Sequence, residues 1–283
     1  MNPTTLTLPD PPATAAARLR WAARDIATVA GRSYSQLRRQ PGELVGFLLF
    51  PIIMIVLFAY VFGSAISLPG GGDYRSFLMP GIFMQTMALT AVQAATRTNT
   101  DMTQGIIDRF KSMPIARSAV LVGTNLSEIS VRVLGLAGMV ACALALTGWR
   151  AHNGPVDTVA GFGLLVLFGF AMIWIGTFVG LSVSNPTVAD QATFGWLFPM
   201  TFLTNTFVPT QGLPGWLRPF ADWNPMSATV ASMRHLFGNP SPAPTHPAWP
   251  LQHPLLMSLV WSLAILAVFV PLSVWRYRKA AGR

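Results

Sequence analysis

From Leu44 to Ile66 the chain runs 23 residues without a charge. Wound as an α-helix, that run is roughly 34 Å long, slightly more than the hydrocarbon core of a bilayer. The stretch before it is basic and polar. That arm is too long, and the apolar run too extended, for a cleavable signal peptide. The run therefore reads as a retained membrane helix, and the chain as an integral membrane protein.

Composition agrees. Charged residues make up 10% of the chain and hydrophobic ones 52%, where a soluble domain carries about 25% charge. The net charge of +9 fits basic cytoplasmic loops facing anionic lipid rather than a nucleic-acid partner. Cys142 is the lone cysteine, which excludes an internal disulfide and a cysteine metal site.

Apolar runs predict an all-α integral membrane fold with six transmembrane helices at about 44–66, 77–96, 120–146, 156–182, 191–208 and 255–275. Prolines 51, 80, 199 and 271 fall inside four of them and read as kinks, which neighbouring helices can accommodate. An even count puts both termini on one side. The basic residues say which: fourteen of the 19 lie before the first span, in the loop after the second or in the tail. Both ends are therefore expected in the cytoplasm, at the inner membrane. No internal repeat supports an inverted-repeat carrier.

Outside the spans, residues 1–15 are rich in Pro, Thr and Ala and are expected to be disordered. Residues 16–40 read as an amphipathic surface helix, with Leu19, Ile26, Ala30 and Leu37 on one stripe. A permease domain would fill 41–278, leaving a short basic tail at 279–283. The segment 209–254 is too apolar for a solvated loop. Within it Met226, Val230, Met233 and Phe237 share a helical face, predicting a helix that starts after Pro225 and dips back into the outer leaflet as a re-entrant hairpin. Trp216, Phe220, Trp223, Asn224 and Pro225 mark that hairpin. Its aromatics either anchor at headgroup depth or help close the outer mouth.

Few residues carry chemistry. Glu128 and Arg132, spaced i, i+4 at the cytoplasmic end of the third span, form either a depth-setting ion pair or the lining of an inner entrance. Gln85, Gln93 and Asn205 are uncharged polar residues in spans, read first as interhelical hydrogen-bonding groups. Phe83, Met84 and Met87, with Gln85 and Asn205, are candidate cavity-lining residues, although the three apolar ones suit lipid equally. Gly180, Leu181 and Ser182 read as small-residue helix packing, not a nucleophile elbow. No carboxylate or histidine is expected at mid-depth to drive a proton-coupled carrier. Neither Lys111 nor Lys279 follows a glycine, so no phosphate-binding loop exists and any ATP motor must be another polypeptide. No metal-site or membrane-enzyme motif is present. The loop string 105–117, GIIDRFKSMPIAR, predicts a short amphipathic helix stopped by Pro114. Its Asp108, Arg109, Phe110 and Lys111 are available to dock in a groove of a soluble partner.

Three strings together, DYRSFLMPGIFMQT, GIIDRFKSMPIARSAVLVG and FPMTFLTNTFVPTQGLPGWLRPFADWNPMSATVASMR, resemble the permeases of type-2 ABC exporters, nearest to the daunorubicin-resistance group of drug and lipid exporters. The resemblance is collinear over about residues 35–278. It implies a half-transporter whose helix around Asp108–Lys111 is the cytoplasmic coupling helix for a separate ATPase. It also implies an outer hairpin matching 213–237 and an assembly of two permeases, the same chain or a homologue, with two ATPases. ATP and magnesium would bind the partner, and lipophilic drugs or lipids would be the cargo. The alternative reading is an ATP-independent carrier or channel.

Overall fold

A computed structural model of the chain describes residues 41–63, 66, 68, 71–104, 117–207, 212–241 and 248–281. The expected disordered stretch 1–15, the surface helix at 16–40 and the coupling residues Asp108, Arg109, Phe110, Lys111 and Pro114 lie outside the described residues.

The described residues are helical, with no strand. Helix α1 (Pro41–Val56) passes straight into a π-helical turn at Leu57–Val61. Next come α2 (Tyr74–Ala88) and α3 (Thr90–Thr103), one rod interrupted only at Leu89. Then follow α4 (Arg117–Thr147), α5 (Pro155–Gly180) and α6 (Pro186–Phe202). The short α7 (Arg218–Trp223), α8 (Pro225–Phe237) and α9 (Trp249–Gln252) precede the last helix, α10 (Pro254–Ala281). Among the described residues, four rods are long and apolar enough to cross a membrane: Tyr74–Thr103, Leu121–Thr147, Pro155–Gly180 and Pro254–Lys279. The expected first and fifth spans are helical but shorter.

Local chemistry sets the helix ends. Asn185 accepts from the Val188 amide with Pro186 in the first turn, and Asn224 does the same for Met226 ahead of Pro225. Gly148 and Gly238, at φ 67° and 65°, supply the left-handed residues that end α4 and α8. Several expected boundaries shift. The second span runs past residue 96 to Thr103, because tertiary partners satisfy its polar end: Asn99 donates to the carbonyls of Gly180 and Val183 at 2.9 and 2.8 Å. The fifth starts at Pro186 rather than 191, because the Asn185 cap and Pro186 begin the helix there; this places Asp190 inside it. The last helix continues past the expected residue 275 and into the expected tail, to Ala281.

Helix α5 is the hub, packing on α3, α4, α8 and α10. It runs parallel to the α2–α3 rod, and glycines make the close approach possible. A Cβ on Gly176 would lie 2.0 Å from the Ala91 carbonyl oxygen, and one on Gly180 would lie 2.4 Å from that of Ala95. Small residues let backbones meet where lipid supplies no hydrophobic drive between helices. The core continues through Phe83, Met87, Phe168 and Met172 to Phe237 of α8. All four residues of the predicted α8 stripe, Met226, Val230, Met233 and Phe237, are buried. Much of α10 instead presents Leu256, Leu259, Val260 and Leu263 outward.

Candidate transport cleft and its flanking polar clusters

Between α1, the α2–α3 rod and α6 lies a cleft of about 230 Å³. Phe50 and Phe194 form apolar walls, with Thr86 and Val92 between them and Gln93 and Asp190 as the strongly polar groups. The aromatic wall continues along α6. Phe194 stacks on Phe198 at 4.8 Å between ring centroids, and Phe198 meets Phe50 edge-on at 6.3 Å. Gln93 and Asp190 are exposed, and Thr96 Oγ1 lies 3.5 Å from Asp190 Oδ1.

Below the cleft, where α3 leaves the bundle and α4 enters it, Glu128 is only 3% exposed. Arg132 donates to it through Nε at 2.9 Å and through a second guanidinium nitrogen, one helical turn away. Arg97 of α3 donates to its other carboxylate oxygen. The i, i+4 pairing is present, and a third member spans two helices. Arg97, counted in the sequence as a loop cation, is a residue of α3. A carboxylate buried between two guanidiniums is worth little against an apolar replacement of all three, but removing one partner strands charge. Glu128→Ala is therefore expected to destabilise the fold by about 3–5 kcal/mol and to lower the melting temperature in detergent. An unaltered melting temperature combined with altered cargo preference would reverse that assignment.

At the opposite end Arg234 of α8 is buried at 2% exposure. Its Nε donates to the Phe77 carbonyl at 2.9 Å, and its Nη2 donates to those of Asn205 and Thr206 at 2.8 and 3.0 Å. The guanidinium carbon stands 3.5 Å over the Phe77 ring centroid. Neighbouring polar contacts close the same end. Asn224 Nδ2 donates to the carbonyls of Met200 and Leu203, Trp149 Nε1 to Asn239, and the Tyr74 hydroxyl to the Phe207 carbonyl.

The ABC-2 type transporter family model matches residues 24–237. The chain belongs to that family. It is 31% identical over 247 residues to the daunorubicin resistance ABC transporter permease DrrB1 of Streptomyces coeruleorubidus, covering 87% of this chain and 83% of the relative. It is 26% identical over 235 residues to the doxorubicin resistance ABC transporter permease DrrB of Mycobacterium tuberculosis H37Rv, covering 80% and 81%.

In this ABC-2 type permease the sequence-predicted residues fall into separate places. Phe83, Met84, Gln85 and Met87 lie in the closed core, not on the cleft surface, and Gln85 donates to Thr201 Oγ1 at 3.0 Å. Asn205 sits at the far end, its Nδ2 donating to the Ser227 carbonyl at 3.3 Å. Trp216, Phe220 and Trp223 are exposed while Asn224 is buried as a cap. Gly180 packs against α3 as its small size suggests, and Gln93, read only as an interhelical group, faces the cleft. Sequence reasoning missed Asp190 and Arg234. Asp190 fell just outside the predicted span. Arg234 carried a usable signal, since it continues the i, i+4 spacing of Met226 and Val230 onto the buried face.

Proposed function

We propose that this chain is the membrane subunit of an ATP-driven exporter that moves lipophilic drugs or lipids outward across the cytoplasmic membrane. A separate ATPase binds ATP and magnesium, and two permeases and two ATPases make the working unit. The observation that carries this reading is the cleft between α1, α3 and α6. It is apolar enough for greasy cargo, and on the orientation read from the basic residues it sits toward the cytoplasmic leaflet. Family membership supports it, as do the names of relatives described as resistance permeases. Six crossings follow if α1 with its π turn and α6 also cross. At 17 residues, α6 is roughly 26 Å long, near the hydrocarbon thickness. The hairpin of α7 and α8 then lies in the outer leaflet, with Trp216, Phe220 and Trp223 at headgroup depth.

Alternating access would run through the loop helix around Asp108. Closure of the ATPase dimer would press on it and rock the two permeases, exposing the cleft to one side and then the other. The test is purification of the tagged chain in mild detergent. A stoichiometric ATP-binding subunit, with ATPase activity raised by a lipophilic compound, is expected. A stable chain that purifies alone would favour the ATP-independent carrier. Replacing Asp108, Arg109 and Phe110 together with alanine is expected to separate ATP hydrolysis from transport while membrane insertion persists. Intact coupling in that variant would remove the docking role.

A further inference from the structure

One turn of α3 is bonded to the helices on either side of it. Arg97 donates to Glu128 of α4. Asn99, only 2% exposed, donates through Nδ2 to the carbonyls of Gly180 and Val183 at 2.9 and 2.8 Å. Gly180 is the last residue of α5, and a helix leaves its final carbonyls without intrahelical partners. Val183 stands in the turn that leads to Asn185, the cap of α6. The Asn99 amide therefore closes the end of α5 and holds the turn from which α6 starts. Unpaired carbonyls are costly where water is scarce, so a displacement of α3 draws that turn along with it. The place of Asn99 on the chain gives the contact a further use. Helix α3 ends at Thr103 and α4 begins at Arg117, so these two helices lead into and out of the 105–117 segment. On the other side of the turn, α6 carries Phe194 into the wall of the cleft.

We propose that Asn99 is the positioning residue that carries movement of the 105–117 segment to the cleft. Displacement of α3 pulls on the Gly180 and Val183 carbonyls, the turn shifts the start of α6, and Phe194 moves relative to Phe50 of α1. Arg97 keeps α4 in register with α3 through Glu128. An asparagine suits the task. Its one amide nitrogen offers two N–H donors, enough for two carbonyls at once, and it brings no charge to desolvate. The inference rests on the reading of 105–117 as the segment that docks the ATPase. It goes beyond that reading in naming the residue through which the push reaches the cleft.

The test uses the intact permease–ATPase complex in nanodiscs. Cys142→Ala removes the native thiol, and Gly46→Cys places a reporter in the cleft, where a Cβ meets nothing within 4 Å. The rate of labelling by a water-soluble fluorescent maleimide, read on the separated permease band, is expected to change when nucleotide is trapped on the ATPase with vanadate. Asn99→Leu, close in size but without a donor, is expected to abolish that change while basal ATP hydrolysis persists. Asn224→Leu is the matched control. It removes a similar amide clasp, on the Met200 and Leu203 carbonyls at the other end of α6. It should lower the melting temperature and leave the labelling change in place. A labelling change that survives Asn99→Leu overturns the proposal, as does its loss in both variants or its absence in the reporter parent. If Asn99→Leu fails to assemble, hydrogen exchange in the unmodified complex decides. Trapping nucleotide should alter 96–104 and 181–190 together, and a change in the first alone overturns the proposal. Stimulation of ATP hydrolysis by a lipophilic compound reports on the exporter reading separately. Its absence counts against that reading, whereas the labelling change still decides the role of Asn99.

Discussion

Gly176→Leu is expected to leave no folded permease in the membrane. The Cβ alone would come within 2.0 Å of the Ala91 carbonyl oxygen and 2.8 Å of its carbon, both backbone atoms that no rotamer change can move aside. Relief requires α3 and α5 to separate, and their contact is the most extensive between any two helices described. Separation would open the adjoining contacts at Gly180 with Ala95 and at Gly169 with Met87. Overpacking a soluble core costs about 1–3 kcal/mol and sometimes more. Here the penalty falls on a backbone seam in a setting where close packing is itself the main attraction between helices. Size-exclusion of a fluorescent fusion in mild detergent reads the outcome, with aggregate or no peak expected for Gly176→Leu. Gly163→Leu is the control on the same helix, because a Cβ there meets nothing within 4 Å. A normal peak for both variants would mean that α3 and α5 are not held as described.

Arg234→Met is expected to be the most damaging substitution at the opposite end. Methionine retains much of the length and apolar volume but cannot donate a hydrogen bond. The carbonyls of Phe77, Asn205 and Thr206 lose three charge-assisted bonds, and Phe77 loses a cation against its ring. Among the described residues no carboxylate pairs with Arg234, so the carbonyls and the ring compensate its charge. A loss of about 3–5 kcal/mol follows from breaking such a buried charged cluster. Asn205 and Thr206 lie in the non-helical turn after α6, so the damage should begin there. Hydrogen exchange should rise first over 203–207, and the melting temperature in detergent should fall. Arg234→Lys is expected to rescue little, because an ammonium cannot present the planar fork that reaches carbonyls on two segments at once. Full stability in the lysine variant would show that charge alone, without the fork, holds the turn.

These two sites differ in how visible they were beforehand. Gly180 reads as a packing residue because a small side chain in an apolar helix has few other uses, yet nothing along the chain says that Ala91 is what Gly176 meets. Arg234 looks like an outer-loop cation when basic residues are counted by segment. It is identified as a buried residue only when its place on the stripe of Met226, Val230 and Phe237 is respected, and its three acceptors come from α2 and the turn after α6. The cleft shows the same limit. Phe83, Met84 and Met87 have the right chemistry to line a cavity, but rotation of α2 turns them into the core. Thr86 and Gln93 from the same rod face the opening instead.

Local physics was enough for the elements themselves. Uncharged runs of membrane length and the α8 stripe each depend on residues a few positions apart, so the chain alone determined the all-α membrane class and the helix that starts at Pro225, whereas α6 starts at Pro186, five residues before the boundary its apolar run suggested. The i, i+4 geometry likewise made Glu128 and Arg132 a pair before any neighbour was known. Tertiary structure decided which face of each helix is inside, that Arg97 joins that pair from another helix, and that Asp190 opens onto an apolar cleft. Those outcomes depend on how helices rotate and how closely they approach. In a membrane these are settled by packing between segments far apart in sequence rather than by a hydrophobic pattern that every lipid-facing side satisfies equally well.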